Sequence, residues 1–307
     1  MDTNIYLLKK YYLYTKERFP LPATFSYAAA LYYMSYFFPN IIEGHTPVDL
    51  LESIMGCLVL FMVLFQIRIL DEHKDYAKDA SAFPDRMLSR GTITLPDLRK
   101  LLIVLVMLQC AMALYLGAWP FVIWLAIQAY VYLMFKEFFA PEYLNKRTWF
   151  YLLSHQLLVP LALLLGISQR LSLAEAVSEH PGFLFIFLSG SMMATVNFEI
   201  ARKTWSPDRE REHADSYTKV WGIGGAVFAN QVVAALAGCA FTYFYISIFR
   251  SLIYSVIIGT VYLAFLAVEF IFTVRRDNKT SKMVETAGAI YSLALLSVSA
   301  VYFFNAG

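Results

Sequence analysis

The chain reads Arg68-Ile69-Leu70-Asp71-Glu72-His73-Lys74-Asp75-Tyr76-Ala77-Lys78-Asp79 directly after a long apolar run. On an α-helix, Glu72, Asp75 and Asp79 would fall within about 60° of one another and share one face. A stripe of carboxylates at the mouth of a membrane helix is costly without counter-charge. A divalent cation supplies that charge, and Mg²⁺ held by a few carboxylates keeps positions open for phosphate oxygens. The stretch therefore predicts chemistry on a phosphorylated or diphosphorylated lipid.

The composition is that of a polytopic membrane protein. Of the 307 residues, 59% are hydrophobic and 16% are charged, and the mean hydropathy is +0.55. A soluble protein would have about 25% charged residues. We expect residues 1–20 to form an amphipathic segment on the membrane surface. Residues 21–307 are then expected to form a single transmembrane domain.

Nine apolar runs are long enough, or nearly so, to cross a bilayer. They lie at residues 21–42, 49–70, 100–118, 120–139, 149–168, 182–201, 220–247, 251–274 and 284–305. All lysines and arginines except Arg170 and Arg250 fall in the N-terminal segment and near the loops after spans two, four, six and eight. By the positive-inside rule, the N-terminus and these loops are cytoplasmic. The predicted fold is an all-α bundle of nine transmembrane helices with a central cavity open to the cytoplasmic side.

The first polar loop contains further candidate residues. Arg68 precedes Glu72 by four residues and can pair with it. Asp71 lies one residue off the acidic stripe and can act as a second acceptor. Arg86 and Arg90 follow, and arginine suits phosphate oxygens because its fork donates two hydrogen bonds. A solvated loop of mixed charge is the alternative, but three carboxylates in one helical register favour a functional site.

The second polar loop begins at the end of span six. Glu199 and Lys203 are spaced i, i+4, and Arg202 lies beside them. A glutamate at the membrane edge with two cations can serve both a metal and a diphosphate. Asp208 and Asp215 follow in the loop. A self-paired cluster of salt bridges at a helix end explains the same pattern equally well.

Two other groups are candidates. Lys146 and Arg147 lie between spans four and five, where they can reach a diphosphate, although basic residues are expected at cytoplasmic helix ends. His155 lies in span five, and a lone histidine there is more often a hydrogen-bond partner between helices than a base. Aromatic residues make up 17% of the chain. A minority of them can line a cavity in which ring faces stabilise a carbocation.

These features resemble the UbiA superfamily of intramembrane prenyltransferases, whose members have nine membrane helices and two acidic motifs on cytoplasmic loops. The first motif of the family, Asn-Asp-x-x-Asp-x-x-x-Asp, matches Asp71-Glu72-x-x-Asp75-x-x-x-Asp79. Its Arg-Pro segment ending in glycine resembles residues 86–91, and its lysine-arginine pair resembles Lys146-Arg147. Its second motif, usually Asp-x-x-x-Asp, matches Glu199-x-x-x-Lys203, so a base replaces the second acid.

The resemblance implies Mg²⁺-dependent ionisation of a prenyl diphosphate and transfer of the prenyl group to a lipophilic, aromatic or otherwise electron-rich acceptor. The catalytic residues it implies are Asp71, Glu72, Asp75, Asp79 and Glu199. The Mg²⁺ ligands it implies are Glu72, Asp75, Asp79, Glu199 and Asp215. The diphosphate-binding residues it implies are Arg68, Arg86, Arg90, Lys146, Arg147, Arg202 and Lys203.

The lysine at position 203 weakens the second metal site. Either Arg202 and Lys203 neutralise the diphosphate directly, or Asp208 and Asp215 complete a displaced site. A terpene cyclase of the same superfamily is the runner-up function, in which a double bond of the substrate traps the cation. A lipid or ion transporter is a third reading, disfavoured because the acids cluster at one side of the membrane. Membrane lipids are expected partners, and nucleic acid is not.

Overall fold

In the computed structural model, residues 3–44, 47–212, 216–250 and 252–305 are described, and within them the chain forms helices and turns without a β-strand. The α-helices are α1 (Thr3–Arg18), α2 (Leu21–Phe37), α3 (Asn40–Glu43), α4 (Leu50–Lys74), α5 (Tyr76–Ala82), α6 (Leu95–Leu116), α7 (Ala118–Phe135), α8 (Pro141–Asn145), α9 (Thr148–Gln156), α10 (Leu158–Ile167), α11 (Leu173–Glu179), α12 (Pro181–Arg202), α13 (Tyr217–Phe249), α14 (Ile253–Arg275) and α15 (Asn278–Asn305). Single 3₁₀ turns occupy Glu137–Phe139 and Pro207–Arg209.

Polar side chains mark where three long helices begin. The Asp49 carboxylate accepts a hydrogen bond from a backbone N–H in the first turn of α4. Thr94 and Asp97 form a reciprocal capping box at the start of α6. Ser216 caps α13 by accepting from the backbone N–H of Lys219. Each cap satisfies N–H groups that have no partner inside the helix.

Eight helical segments in the described residues are long and apolar enough to cross a membrane: α4, α6, α7, α9 together with α10, α12, α13, α14 and α15. The span predicted at 21–42 is shorter than expected. Helix α2 has 17 residues, a length of about 26 Å, which is below the roughly 30 Å of a hydrocarbon core. Pro39 separates it from the four-residue α3. The all-α membrane bundle is confirmed, whereas the count of nine spans is not.

The bundle is centred on α12, which packs against α13 and α15, while α4 packs against α6 and α2. Small residues bring some of these helices close together, and a Cβ atom on Gly190 would lie 2.8 Å from the Cβ of Ala240. Tilted aromatic rings fill the core at the end where α12 begins, with Phe38, Phe187 and Phe244 in mutual contact. Ring packing therefore closes this end of the bundle.

The acidic stripe is not carried by one continuous helix, as the spacing had suggested. Helix α4 ends at Lys74, and Asp75 (φ −99°, ψ 10°) separates it from α5, which carries Asp79. Helix α13 contains a comparable break at Gly222, whose φ of +71° and ψ of 167° are non-helical. Glycine suits that backbone conformation because it lacks a Cβ atom. Both irregularities lie at the end of the bundle that carries the polar loops.

Candidate functional site

The polar segments meet at one end of the bundle, here called the polar end. It comprises residues 68–94, 136–155, 199–212 and 216–219 together with the end of α1. Arg211, in the loop after α12, donates to the carbonyl oxygen of Ala82 in α5 at 2.7 Å. The guanidinium groups of Arg86 and Arg211 both lie over the ring of Phe83, at 3.5 and 4.7 Å from its centroid. The two polar loops that carry the acidic motifs therefore lie against each other at this end of the bundle.

Glu72 is the most deeply buried acid of the first motif, with 1% of its side chain exposed. Its Oε1 atom accepts from Nε of Arg18 at 2.6 Å and from Nη2 of Arg68 at 2.7 Å. The pairing with Arg68 follows the predicted i, i+4 spacing. Arg18 comes from the last turn of α1, and it is not among the site residues predicted from the sequence. Two guanidinium groups thus neutralise a carboxylate whose burial would otherwise be costly.

Asp79 is joined to the same network from α5. Its Oδ2 atom accepts from Nη1 of Arg86 at 2.6 Å, and Nη2 of Arg18 lies 3.5 Å away. Burial, and secondarily the charge of Arg18, lowers the pKa of Arg86 below its ordinary value. Arg18 therefore bridges Glu72 and Asp79 across the break between α4 and α5.

Asp71 and Asp75 have looser surroundings. The nearest cation to Asp71 is Lys74, at 4.0 Å, and no ion pair to Asp75 is seen among the described residues. Burial raises the pKa of Asp75, and the nearby charge of Lys74 only partly opposes this shift. These two carboxylates are therefore incompletely neutralised, in contrast to Glu72 and Asp79.

Lys74 connects the first motif to α9. Its ammonium group donates to the hydroxyl of Tyr151 at 3.2 Å and lies 3.7 Å from the carboxylate of Glu137. Beside it is a recess at the polar end, lined by Ile67, Leu70, Asp71, Lys74, Val131, Met134, Phe135 and His155. Its volume is about 10 Å³, room for about one water molecule. A prenyl diphosphate is far larger, so its binding there requires the lining side chains to move apart.

Glu199 of the second motif is enclosed by its own neighbours. Its carboxylate lies 2.6 Å from Nη2 of Arg202 and 3.1 Å from Nζ of Lys203. Lys203 also lies 5.8 Å from the ring centroid of Tyr217, in the first turn of α13. The self-paired arrangement that the spacing allowed is therefore present. Asp215, predicted as a metal ligand, lies outside the described residues.

Three predicted phosphate-binding residues stand apart from this network. Arg90, Lys146 and Arg147 are exposed, and within the described chain none of them forms an ion pair with an acid. The guanidinium group of Arg147 lies over the ring of Tyr143, 4.0 Å from its centroid. Among the described residues, the cations that form ion pairs with acids of the two motifs are Arg18, Arg68, Lys74, Arg86, Arg202 and Lys203.

No three histidine, cysteine, aspartate or glutamate side chains in the described residues are close enough together to form a metal site by themselves. Glu72, Asp79 and Glu199 are instead paired with basic groups. A Mg²⁺ ion that arrives with a diphosphate needs only one or two carboxylates. Among the described residues, Asp71 and Asp75 are the acids of the first motif that form no ion pair with an arginine. They can therefore supply the one or two carboxylates that such a Mg²⁺ ion needs.

Comparison with known proteins places this geometry in a known fold. No protein-family model and no curated protein sequence matches the chain. Among solved structures, it is similar to digeranylgeranylglyceryl phosphate synthase, with a TM-score of 0.63 and 18% identity over 97% of this chain and 99% of that one. It is also similar to an apo UbiA homologue from Aeropyrum pernix K1, with a TM-score of 0.64 and 12% identity over 89% of this chain and 97% of that one. The chain therefore has the fold of the UbiA superfamily, as its first motif predicts.

Proposed function

We propose that this chain is an intramembrane prenyltransferase that ionises a prenyl diphosphate and transfers the prenyl group to a lipophilic acceptor. The observation that carries the proposal is the juxtaposition at the polar end. There, Asp71 and Lys74 line a recess whose other walls are mainly apolar, and Glu72, the centre of the arginine-rich network, lies on the same helix. Of the similar structures, one is a synthase of digeranylgeranylglyceryl phosphate and one is a UbiA homologue.

The charge distribution suits departure of a diphosphate. When the allylic C–O bond breaks, its electron pair leaves with the diphosphate, so negative charge accumulates there. Fixed guanidinium and ammonium groups stabilise that charge strongly at a site from which water is excluded. Arg68, Arg86 and Lys203 are partly buried and are the groups we assign to this role. The apolar wall would hold the hydrocarbon chain and keep water from the cation.

Mg²⁺ is part of this proposal. Asp71 and Asp75 would hold the ion together with the diphosphate oxygens, and Asp79 would join them if Arg86 moved to the substrate. Bound Mg²⁺ would add Lewis-acid stabilisation of the leaving group. The raised pKa of Asp75 supports this assignment, because burial without a paired cation penalises the ionised carboxylate.

The orientation of the protein follows from the same reasoning. We place the N-terminus and the polar end on the cytoplasmic side, where the lysine and arginine excess belongs. A water-soluble diphosphate head group would then reach the site from the cytoplasm, while the prenyl chain lies in the membrane. Labelling of single cysteines in α1 with a membrane-impermeant reagent, in sealed vesicles of known orientation, tests this placement.

Product analysis tests the proposed function. Membranes containing the protein would be supplied with labelled C10, C15 and C20 prenyl diphosphates, Mg²⁺ and an electron-rich phenol or naphthol. Release of diphosphate with formation of a prenylated acceptor is the expected result. A cyclic hydrocarbon formed without acceptor would instead identify a terpene cyclase. No diphosphate release from any donor, with folded protein present, would refute both enzymatic functions.

A further inference from the structure

His155 combines a fixed arrangement of its two ring nitrogens with a position in the wall of the recess at the polar end. Its Nδ1 atom lies 2.8 Å from the backbone carbonyl oxygen of Tyr151, one turn earlier in α9. A carbonyl oxygen can only accept a hydrogen bond, so Nδ1 carries the hydrogen and donates. In a neutral imidazole, the other nitrogen, Nε2, then has a free lone pair. The fold thus selects the tautomer in which Nε2 can accept a proton.

The Nε2 atom is buried and has no hydrogen-bond partner among the described residues. The usual alternative for a lone membrane histidine, a hydrogen bond to another helix, is therefore not seen. The ring is held in position by stacking on Tyr151, with centroids 4.2 Å apart, and by an edge-on contact with Phe138 at 5.9 Å. A buried polar atom without a partner is costly, and at His155 this cost falls on a residue that lines the recess.

His155 also lines the recess that contains Asp71 and Lys74. Lys74 donates to the hydroxyl of Tyr151, the residue whose ring stacks on the imidazole. Three charged groups outside α9 interact electrostatically with His155: Lys74 of α4, Glu199 of α12, and Lys203 at the end of α12. The histidine is therefore adjacent to the proposed site of ionisation without belonging to either acidic motif.

We infer that His155 is a catalytic residue, the base that removes the proton in the step after prenyl transfer; this inference rests on the proposed function. The diphosphate leaves with the electron pair of the C–O bond, and an acceptor carbon bonds to the allylic cation with a π-electron pair. The C–H bond at that carbon then breaks. Its electron pair restores the ring, and its proton passes to the lone pair of Nε2.

The proton then needs a route out of the recess. The diphosphate released in the same reaction is a base, so it can take the proton from the imidazolium and carry it to solvent when it leaves. In the cyclase alternative, the same base would remove a proton from the cyclic cation and leave an alkene. In both reactions, loss of the base leaves ionisation intact and impairs the step that consumes the cation.

The test compares His155→Asn with His73→Asn in the full-length protein in membranes. Asparagine retains an N–H donor near the position of Nδ1 and lacks Nε2, so it keeps the bond to the backbone while removing the base. His73 is a matched control, because its Nδ1 lies 2.9 Å from the carbonyl oxygen of Ile69 and its Nε2 is also buried without a partner. His73 does not line the recess.

The probes are geranylgeranyl diphosphate and 1-naphthol, either unlabelled or deuterated on the ring. Two amounts are measured: the diphosphate released, and the product formed with loss of a proton, which is either prenylated naphthol or a terpene hydrocarbon. The quantity compared between variants is the second amount as a fraction of the first. We expect H155N to release diphosphate and to lower that fraction about tenfold or more, in favour of prenyl alcohol. A deuterium isotope effect on naphthol prenylation should appear in H155N, because proton removal becomes slow there. H73N should match the wild type.

Each result has a defined meaning. If the wild type releases no diphosphate, the proposed function fails. If it releases diphosphate and H155N leaves both the product fraction and the isotope effect unchanged, the inference about His155 is overturned. It is also overturned if H73N reproduces the change, if H155N and H155A both lose diphosphate release, or if the wild type yields only prenyl alcohol.

Discussion

Replacing Arg18 with alanine should destabilise the protein, although the residue lies in the N-terminal helix and outside both acidic motifs. Arg18 donates to Glu72 at 2.6 Å, and their side chains are 14% and 1% exposed. Removing one partner of a buried ion pair costs about 3–5 kcal/mol when the other charge is left alone. Arg68 remains 2.7 Å from the same carboxylate oxygen. The expected cost is therefore about 1.5–3 kcal/mol, the value of one hydrogen bond to a charged group.

Thermal unfolding of the detergent-solubilised protein would measure this loss. One kcal/mol corresponds to about 2–4 °C in a domain of 150–250 residues, so we expect Arg18→Ala to lower the Tm by about 3–12 °C. Lys16→Ala is the matched control, because it removes the same charge from an exposed position of α1. That variant should change the Tm by little, as surface substitutions away from special features usually do.

A double-mutant cycle separates the ion pair from general effects on α1. In the background of Glu72→Gln, Arg18 faces a neutral amide, and its removal should cost about 1–2 kcal/mol less than in the wild type. The structural reasoning is refuted if Arg18→Ala and Lys16→Ala shift the Tm equally. It is also refuted if the effect of Arg18→Ala is unchanged in the Glu72→Gln background.

Three further predictions follow from other parts of the molecule. Lys203→Ala should slow diphosphate release about 100-fold because the proposed stabiliser of the leaving group is lost, whereas Lys203→Asp should alter the Mg²⁺ requirement. Unchanged activity and Mg²⁺ titration in both variants would exclude a role for this lysine. Glu269 accepts from the amide of Asn230 at 2.9 Å inside the bundle, so Glu269→Leu should cost about 1–3 kcal/mol of stability and Glu269→Gln clearly less, as measured by unfolding; equal losses would contradict the reasoning. Gly222→Ala should destabilise by about 1–3 kcal/mol because of its positive φ, while Gly224→Ala, at a helical position with open space around it, should not lower the Tm.

The membrane bundle could be predicted from the sequence because hydropathy reports burial in lipid directly. Eight of the nine predicted spans correspond to helices that meet the length and hydropathy expected of a crossing. The exception is at residues 21–42. The hydropathy of this segment does not reflect the effect of Pro39, which follows the end of α2 and prevents a longer helix. Hydropathy determines which segments are buried in the membrane, whereas local backbone constraints determine where each helix stops.

The site was predictable only where its contacts are local. Arg68 with Glu72, and Glu199 with Lys203, are pairs four residues apart whose proximity follows from helix geometry. The contact of Arg18 with Glu72 and that of Lys74 with Tyr151 join residues 54 and 77 positions apart. Such pairs depend on the packing of whole helices, and no spacing rule applied to one sequence reveals them. The break at Asp75 was missed for a related reason, because the local pattern was compatible with an uninterrupted helix.

The enclosure of Glu72 and Glu199 by basic groups has a consequence for ligand uptake. A diphosphate that binds the guanidinium of Arg68 or the ammonium of Lys203 must take that group away from a carboxylate. The carboxylate that loses this partner keeps one other, Arg18 for Glu72 or Arg202 for Glu199. Its charge is then less fully neutralised in a poorly hydrated environment, which favours binding of a further cation. Anion capture would thus be thermodynamically linked to uptake of a proton or a metal ion. We expect the affinity for inorganic diphosphate to increase with Mg²⁺ concentration and as the pH falls. Both effects have the same cause, because a metal ion or a proton replaces the basic group that the carboxylate has lost.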